Sequence, residues 1–434
     1  MPTTSNTFGS WGIAASVMLL LVAGCSKGTT TAPPASGTSP SDTQPVTIRI
    51  GGNPGQISED EAKRYIAEPV KKKYPNITIE FVSFAVQGQN LTDLVAAKQA
   101  PDLVANGIVN VTKDFIPLGL AYDMTELIKK HGFDVNRIQP VYFDAIRTAS
   151  GLPGVIGIPI WNQAFGLVYN KGLFDKFATA YPKDGMTWDQ VRDIAAKLNR
   201  NEGGVHYYGL WVDDVYRGAN QLSLPFADWK TNKSLLQSQD WKDLFTLWAS
   251  LYQVPGFAAK GTDYRKMFYQ GQLAMMSGST STAQTMLTYP EVDWDVVTYP
   301  ENPKAKGFAQ RVTDFDLFMT TTSANKDAAF KVISVVASDD TQRQISRNGR
   351  MSSLKNAGIQ GEFGKDIPQF QSKNVQAFTK PKLAAMPEYK YNVNLDMIVN
   401  EAFNTVLYEG KDINTALRSG EEKMNQAIQA ALNK

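Results

Sequence analysis

The sequence predicts an α/β protein built as two lobes, and three observations lead there. The chain of 434 residues is too long for one ordinary hydrophobic core. Short apolar runs of strand character alternate with stretches of helical periodicity from Val46 onward. The order strand–helix–strand is the unit of a parallel sheet with helices on its faces. A composition of 43% hydrophobic and 20% charged residues is that of a globular chain.

The elements can be justified in order. Val46, Ile48 and Ile50 alternate with Thr47 and Arg49, so a strand opens the body. It stops at the loop Gly51-Gly52-Asn53-Pro54-Gly55. Ser58 followed by Glu61 forms a capping box, and Ala62, Tyr65, Ile66 and Val70 line one face of the helix it starts. Pro69 should kink or shorten that helix. Ile77, Ile79 and Phe81 alternate in a second strand. Further along, Ala164–Tyr169 is a short buried strand, punctuated by Asn170 and Gly172. Thr187 and Gln190 make a second capping box, followed by the stripe Val191, Ile194, Ala195 and Leu198. Val205–Val212 reads as a strand. Trp241, Leu244, Phe245, Trp248, Leu251 and Tyr252 share one helical face. Asp263 caps a helix that stops at Gly271, and Leu273–Met276 is a buried strand. Asn325 is placed to cap a helix with Ala328, Ala329, Val332, Ile333 and Val336 inward. A helix-rich segment from about Leu395 closes the chain, and there is no short-period repeat.

The first 45 residues follow a different logic. Trp11–Ala23 is a mostly apolar run, densest at Val17–Val22. It is shorter than the roughly 20 residues that span a bilayer, and it fits the apolar region of a signal peptide. Ala23-Gly24 then precede Cys25. This resembles the bacterial lipobox, in which signal peptidase cuts before a cysteine that carries lipid on its thiol. Val22 replaces the commoner Leu, and residues 1–10 hold no Lys or Arg, a departure from the usual basic start. From Ser26 to Gln44 the chain is Gly, Ser, Thr, Ala and Pro with almost no apolar bulk, a composition that cannot pay for folding. The expected organisation is a leader over 1–24 and a lipidated Cys25 with a flexible tether over 25–45. The expected lobes are 46–162 with 311–355, and 163–310 with 356–434.

Composition also excludes function classes. The net charge is +2, with 44 basic and 42 acidic residues, and the one lysine run, Lys71-Lys72-Lys73, suits a solvated helix end. No basic face for nucleic acid is indicated. Cys25 is the single cysteine, so no intramolecular disulfide forms. His131 and His206 lie far apart, so there is no zinc-type cluster, and no EF-hand spacing occurs. A carboxylate-only metal site stays open at this point. No cofactor is expected.

Several blocks together resemble the extracellular solute-binding proteins of bacterial ABC importers, in the sugar-binding family that includes maltose-binding protein. They are Gly157-Ile158-Pro159 with Gly166–Lys171 and Leu173-Phe174; Met186–Asp189; Phe268–Met276; Ser323–Ser338 running into Asp339–Gln342; and Leu407–Ile413 with Ala416-Leu417. Their order and spacing extend over nearly the whole chain from Val46. The resemblance implies a two-lobed fold of the type II periplasmic-binding-protein kind, with the ligand in the cleft at the hinge. It implies no catalysis. It implies an ABC permease as partner and a monomer. The lipobox and the long tether suit a lipid anchor on the outer side of the cell membrane, on a Gram-positive surface rather than in a Gram-negative periplasm.

Sugars present flat C–H faces and a rim of hydroxyls, so their sites combine aromatic plates with amides, carboxylates and guanidinium groups. Trp161, Asn162 and Gln163 stand just before the strand at 164–169, where the resemblance puts the first crossing between lobes, and they are expected to line the pocket. Of the eight tryptophans, Trp241, Trp248, Trp188 and Trp294 fall on core patterns. Trp211, Asp213 and Asp214 end a strand, where open α/β sheets bind ligands. Trp229 sits in a loop after Pro225. Asn53, Gln56, Asn106 and Ser279 follow other strands, and Arg311 and Asp314 are expected near the second crossing. Each of these residues also has an ordinary reading as a packing, turn or capping residue.

Two other functions compete. The same fold could hold a peptide, polyamine or anion, with Asp213 and Asp214 pairing a cation. An extracellular glycan-degrading enzyme needs two carboxylates about 5–9.5 Å apart, but adjacent Asp213 and Asp214 would point to opposite faces of a strand. Gly278-Ser279-Thr280-Ser281-Thr282 lacks the closing glycine of a serine nucleophile elbow.

Overall fold

The computed structural model describes residues 44–253, 262–390 and 393–433. The expected leader, Cys25 and the tether up to residue 43 lie outside the described residues.

Along the chain, β1 (Val46–Gly52), β2 (Ile77–Ser83), β3 (Leu103–Asn106) and β4 (Gly157–Asn162) build a first sheet. The chain then enters a second sheet with β5 (Phe165–Asn170), β6 (Arg200–Glu202) and β7 (Val205–Trp211). A two-stranded ribbon follows, β8 (Ala227–Asp228) with β9 (Lys233–Ser234). β10 (Leu273–Ser279) and β11 (Trp294–Thr298) complete the second sheet. After β12 (Phe308–Arg311) the chain returns to the first sheet with β13 (Asp314–Met319) and β14 (Met351–Ser352), and β15 (Lys382–Ala384) pairs with β12. The strand orders are β14-β4-β13-β3-β1-β2 and β11-β5-β10-β7-β6. Each sheet has its own hydrophobic cover. Ile48, Ile50, Leu317 and Phe330 belong to the core around the first sheet. Leu167, Trp248 and Phe403 fill one face of the second, and Val168, Met276 and Phe378 the other. This is the two-lobed α/β architecture, with three chain crossings, after Asn162, after Arg311 and after Ile359.

Local chemistry explains most boundaries. Ser58 and Glu61 satisfy each other's backbone N–H groups, as do Thr187 and Gln190. Pro69 does not break its helix. A π-helical turn over Lys63–Ala67 resets the register, and Pro69 falls in the first turn of the following α-helical segment Glu68–Lys73, where its missing N–H costs nothing. The Asp263 carboxylate accepts from the Lys266 N–H. Asn325 begins its helix without a side-chain cap, and its own N–H donates to Ser323 Oγ. In β2 the expected alternation fails at its end: Phe81 is 38% exposed, and Val82 is buried instead. β2 pairs only with β1, so it is a sheet edge, where burial on either face is least complete.

Candidate functional site

The crossings are tied together by side chains. The Asn162 Oδ1 accepts from the Thr313 N–H at 2.8 Å, and its Nδ2 donates to the Gln163 carbonyl at 2.8 Å. The Gln163 N–H in turn donates to the Thr313 carbonyl. Beyond the hinge, Gln163 Nε2 reaches Ser281 Oγ at 3.2 Å. Arg350, just before β14, pairs with Glu61 at 2.8 Å and lies 3.4 Å from the same Ser281 hydroxyl.

Three adjoining cavities lie along the helix Ile108–Asp114. The hinge cavity, about 230 Å³, is walled by Gln56, Asn110, Gln163, Arg217, Asp314 and Asp396, among others. An amide-lined cavity of about 320 Å³ presents Asn53, Asn90, Asn106 and Asn110 beside Phe84 and Phe115. The third, about 490 Å³, is mostly apolar and runs between Val109, Ile116 and Ala149 on one side and Tyr389, Val393 and Leu395 on the other. Asn110 is shared by the first two, and Val109 and Asp396 by the hinge and apolar cavities.

Electrostatics sharpen the hinge cavity. Arg311 is buried: its Nε donates to Asn220 Oδ1 at 2.9 Å, and Nη2 lies 3.4 Å from Asp396 Oδ2. Tyr389 OH donates to the other Asp396 oxygen at 2.9 Å. Burial pushes the Asp314 carboxyl up, against the N–H of Ile108 and the charge of Arg311. Burial likewise raises Asp213, against Arg217 and Arg265.

The structure sorts the candidate residues. Gln56, Gln163, Arg311 and Asp314 meet at the hinge cavity, while Asn53 and Asn106 meet at the amide cavity. Trp161 borders the hinge cavity but is 2% exposed. Phe315 stacks on it at 3.9 Å, Tyr65 meets it edge-on, and the Arg350 guanidinium lies 5.7 Å from its centroid, so it offers no open plate for a sugar. The reason is that Trp161 and Asn162 are the end of β4, not a loop. Asn162 is fully buried with both amide ends used on the crossings, which corrects its expected role as a ligand contact. Trp211 packs against Tyr264 with Arg265 over its ring, and Asp213 binds its own neighbourhood through its backbone, to Ser277 Oγ and Trp248 Nε1. Asp214 stands exposed at the start of the helix Val215–Gln221. None of these three lines the hinge cavity. Trp229 Nε1 donates to the Glu388 carbonyl, and its ring packs on the second core. Ser279 stands at the N-cap of the short helix Thr280–Thr285, its N–H donating to Thr282 Oγ1. Asn110, Arg217, Tyr389 and Asp396 were not singled out. Asn110, four residues after Asn106, was within reach of the strand-end argument. The segment 388–396 has no periodic pattern that would reveal it.

Among the described residues no group of three or more His, Cys, Asp or Glu side chains could hold a metal ion, and no helix is long and apolar enough to cross a membrane.

Two sheet-based lobes, three crossings and polar cavities at the hinge define a binding protein of the two-lobed class. Residues 55–343 match the family of bacterial extracellular solute-binding proteins. The chain belongs to that family. No curated protein matches it. Among solved structures, an ABC substrate-binding protein from Listeria monocytogenes in complex with cycloalternan superimposes with a TM-score of 0.72 at 19% identity, covering 89% of this chain and 100% of that one. The sugar-binding protein MalE from Xanthomonas citri gives 0.68 at 15% identity, over 89% and 98%. UgpB from Mycobacterium tuberculosis, in complex with glycerophosphocholine, gives 0.69 at 15%, over 90% and 100%.

Proposed function

We propose that this protein captures a carbohydrate, an oligosaccharide, and delivers it to the membrane subunits of an ABC importer. The observation that carries this reading is the amide cavity. Four asparagines beside Phe84 supply the donors, acceptors and apolar contact that a ring of hydroxyls over C–H faces requires. Its continuity with two further cavities suits a ligand of more than one sugar unit. Relatives that bind cycloalternan and other sugars support the same class. Capture works by hinge bending at the three crossings, a motion for which periplasmic binding proteins are a general example, and binding selects the closed form.

In this reading the lobes are 46–162 with 311–355 and 163–310 with 356–434. The site performs no catalysis, and the protein acts as a monomer. Lipid on Cys25 holds it at the outer face of the cell membrane, on a Gram-positive surface, with residues 26–44 as tether.

The test is a thermal-shift screen of residues 46–434 against mono- and oligosaccharides, peptides, polyamines and phosphodiesters such as glycerophosphocholine. Ligand at 100 times its Kd stabilises by about 2.7 kcal/mol. A sugar hit that weakens in Asn106→Ala and Asn110→Ala supports the reading. A hit confined to a polyamine, peptide or phosphodiester overturns the carbohydrate assignment while leaving the importer role.

A further inference from the structure

Behind the hinge cavity lies a buried acidic pair that capture of a ligand does not by itself explain. Asp314 and Asp316 stand two residues apart on β13, so they share a face of the first sheet. Asp316 is fully buried, and neither of its carboxyl oxygens has a hydrogen-bond donor among the described residues. Asp314 Oδ1 accepts the Ile108 N–H at 3.3 Å, but Oδ2 has no donor among them. Tyr142 OH, from the helix Pro140–Ser150, is also buried with no hydrogen-bond partner among the described residues, and both carboxyls act on it. Each carboxyl acts on the other across their shared face, a repulsion between two charged acids that one proton removes.

The surroundings leave little else to neutralise them. Asn106 lies opposite Asp316 in β3, and Pro159 opposite it in β4. The helix Lys326–Val336 packs Ala329, Phe330, Val332 and Ile333 into this core. The helix Ile108–Asp114 contributes the Ile108 N–H and apolar Val111. Arg311 is the cation that acts on the pair, and it acts on Asp314. Asp316 borders none of the three cavities.

We propose that Asp316 keeps its proton at neutral pH and donates it to Asp314, which leaves Asp314 as the ionised member of the pair at the wall of the hinge cavity. Asp316 is then a positioning residue, acting on a ligand only through Asp314. One proton converts two orphaned acceptors into a donor and an acceptor. Burial against a second acid holds the Asp316 carboxyl well above the usual carboxylate range, consistent with this assignment. The sign of the linkage follows. A raised acid contributes stability fully below its unfolded value and loses it as pH rises through its folded value. For the ligand, on the reading above, the pair supplies a negative charge at the cavity wall: Asp314 Oδ1 is held by the Ile108 N–H and Oδ2 is buried.

The test uses the unliganded chain, so a failed ligand screen does not decide it. Infrared difference spectra of wild type, Asp316→Asn and Asp314→Asn are compared at neutral pH, with melting temperature followed from mildly acidic to alkaline pH. The amide introduced by Asp316→Asn is close in shape to a protonated acid and can still donate to Asp314. The expected result is a carboxylic-acid carbonyl band in wild type that vanishes in Asp316→Asn, and a fall of Tm by several degrees toward alkaline pH that the variant lacks. Identical spectra and identical pH profiles overturn the proposal. A band that survives in Asp316→Asn and vanishes in Asp314→Asn also overturns it, by placing the proton on the other acid. A rise in wild-type Tm with added calcium chloride, absent in Asp316→Asn, overturns it in favour of a cation site.

Discussion

Asn162 Oδ1 accepts the Thr313 N–H at 2.8 Å, so one amide side chain bonds the first crossing between the lobes to the second. Removing it leaves a buried N–H and the Gln163 carbonyl without their partner. Asn162→Ala is expected to lose about 1–3 kcal/mol of stability, read from denaturant midpoints. Asn162→Asp keeps the acceptor for Thr313 and turns the other end into an acceptor facing the Gln163 carbonyl, so it is expected to be no better than alanine.

Trp161 separates the packing role from the binding role. Fully buried and stacked on Phe315, it should behave as a core residue. Trp161→Ala is expected to cost roughly 3–5 kcal/mol, whereas Trp161→Phe should retain most stability and leave ligand affinity within a small factor. A large loss of affinity in Trp161→Phe at unchanged Tm would restore the tryptophan as a ligand plate.

The amide cavity predicts graded losses. Each of Asn53→Ala and Asn110→Ala should weaken carbohydrate binding by about 0.5–1.5 kcal/mol, roughly two- to tenfold in Kd. Asn53 is the cleaner of the two, because Asn110 also donates to Asn106 Oδ1 at 3.0 Å and its loss disturbs that partner. Titration calorimetry with the sugar found by screening measures both.

Arg311 is expected to matter for the fold before it matters for ligand. Arg311→Ala leaves Asp396 and Asn220 without the guanidinium they share. Breaking a buried pair from one side typically costs about 3–5 kcal/mol. Arg311→Lys cannot reproduce the fork and should recover only part of it, as equilibrium unfolding would show.

A surface cluster sets a response to acid. Arg347 holds Glu362 and Asp366, and hydrogen bonding to its guanidinium keeps both carboxyls below their ordinary values. Depressed acids contribute stability above their unfolded values, and that stability is lost as pH falls through the folded ones. Arg347→Ala should therefore lower Tm at neutral pH and converge with wild type below the carboxylate range. High salt should shrink the neutral-pH difference, because the cluster lies at the surface.

What could be read from the sequence was local. The capping boxes at Ser58 and Thr187, the Asp263 cap and the tryptophan-bearing helix Gln239–Tyr252 depend on residues within a turn or two of each other. Pro69 misled because a π turn is a property of backbone register rather than of any residue type. Phe81 misled because a period of two cannot say where a sheet ends. The site itself was legible only in part. Gln56 and Asn106 lie at or just beyond strand ends, and that rule found them; Arg311 and Asp314 were found by their expected place near the second crossing. Trp161 and Asn162 also sit at a strand end, but their chemistry is spent on Phe315 and Thr313, partners about 150 residues away. Asp396 joins the cavity through a tertiary approach that no local pattern encodes.

The strand order has a consequence for how the chain is made. The second sheet uses strands drawn from one continuous stretch, residues 165–298, and can pair as soon as that stretch is available. The first sheet cannot. Its inner strand β13 lies between β4 and β3 yet is synthesised about 150 residues after β4. Until Asp314–Met319 emerges, β3 and β4 face a gap in the middle of their own sheet, and the first lobe has no completed core. A chain whose earliest-made half waits for a late central strand folds slowly from its N-terminal side.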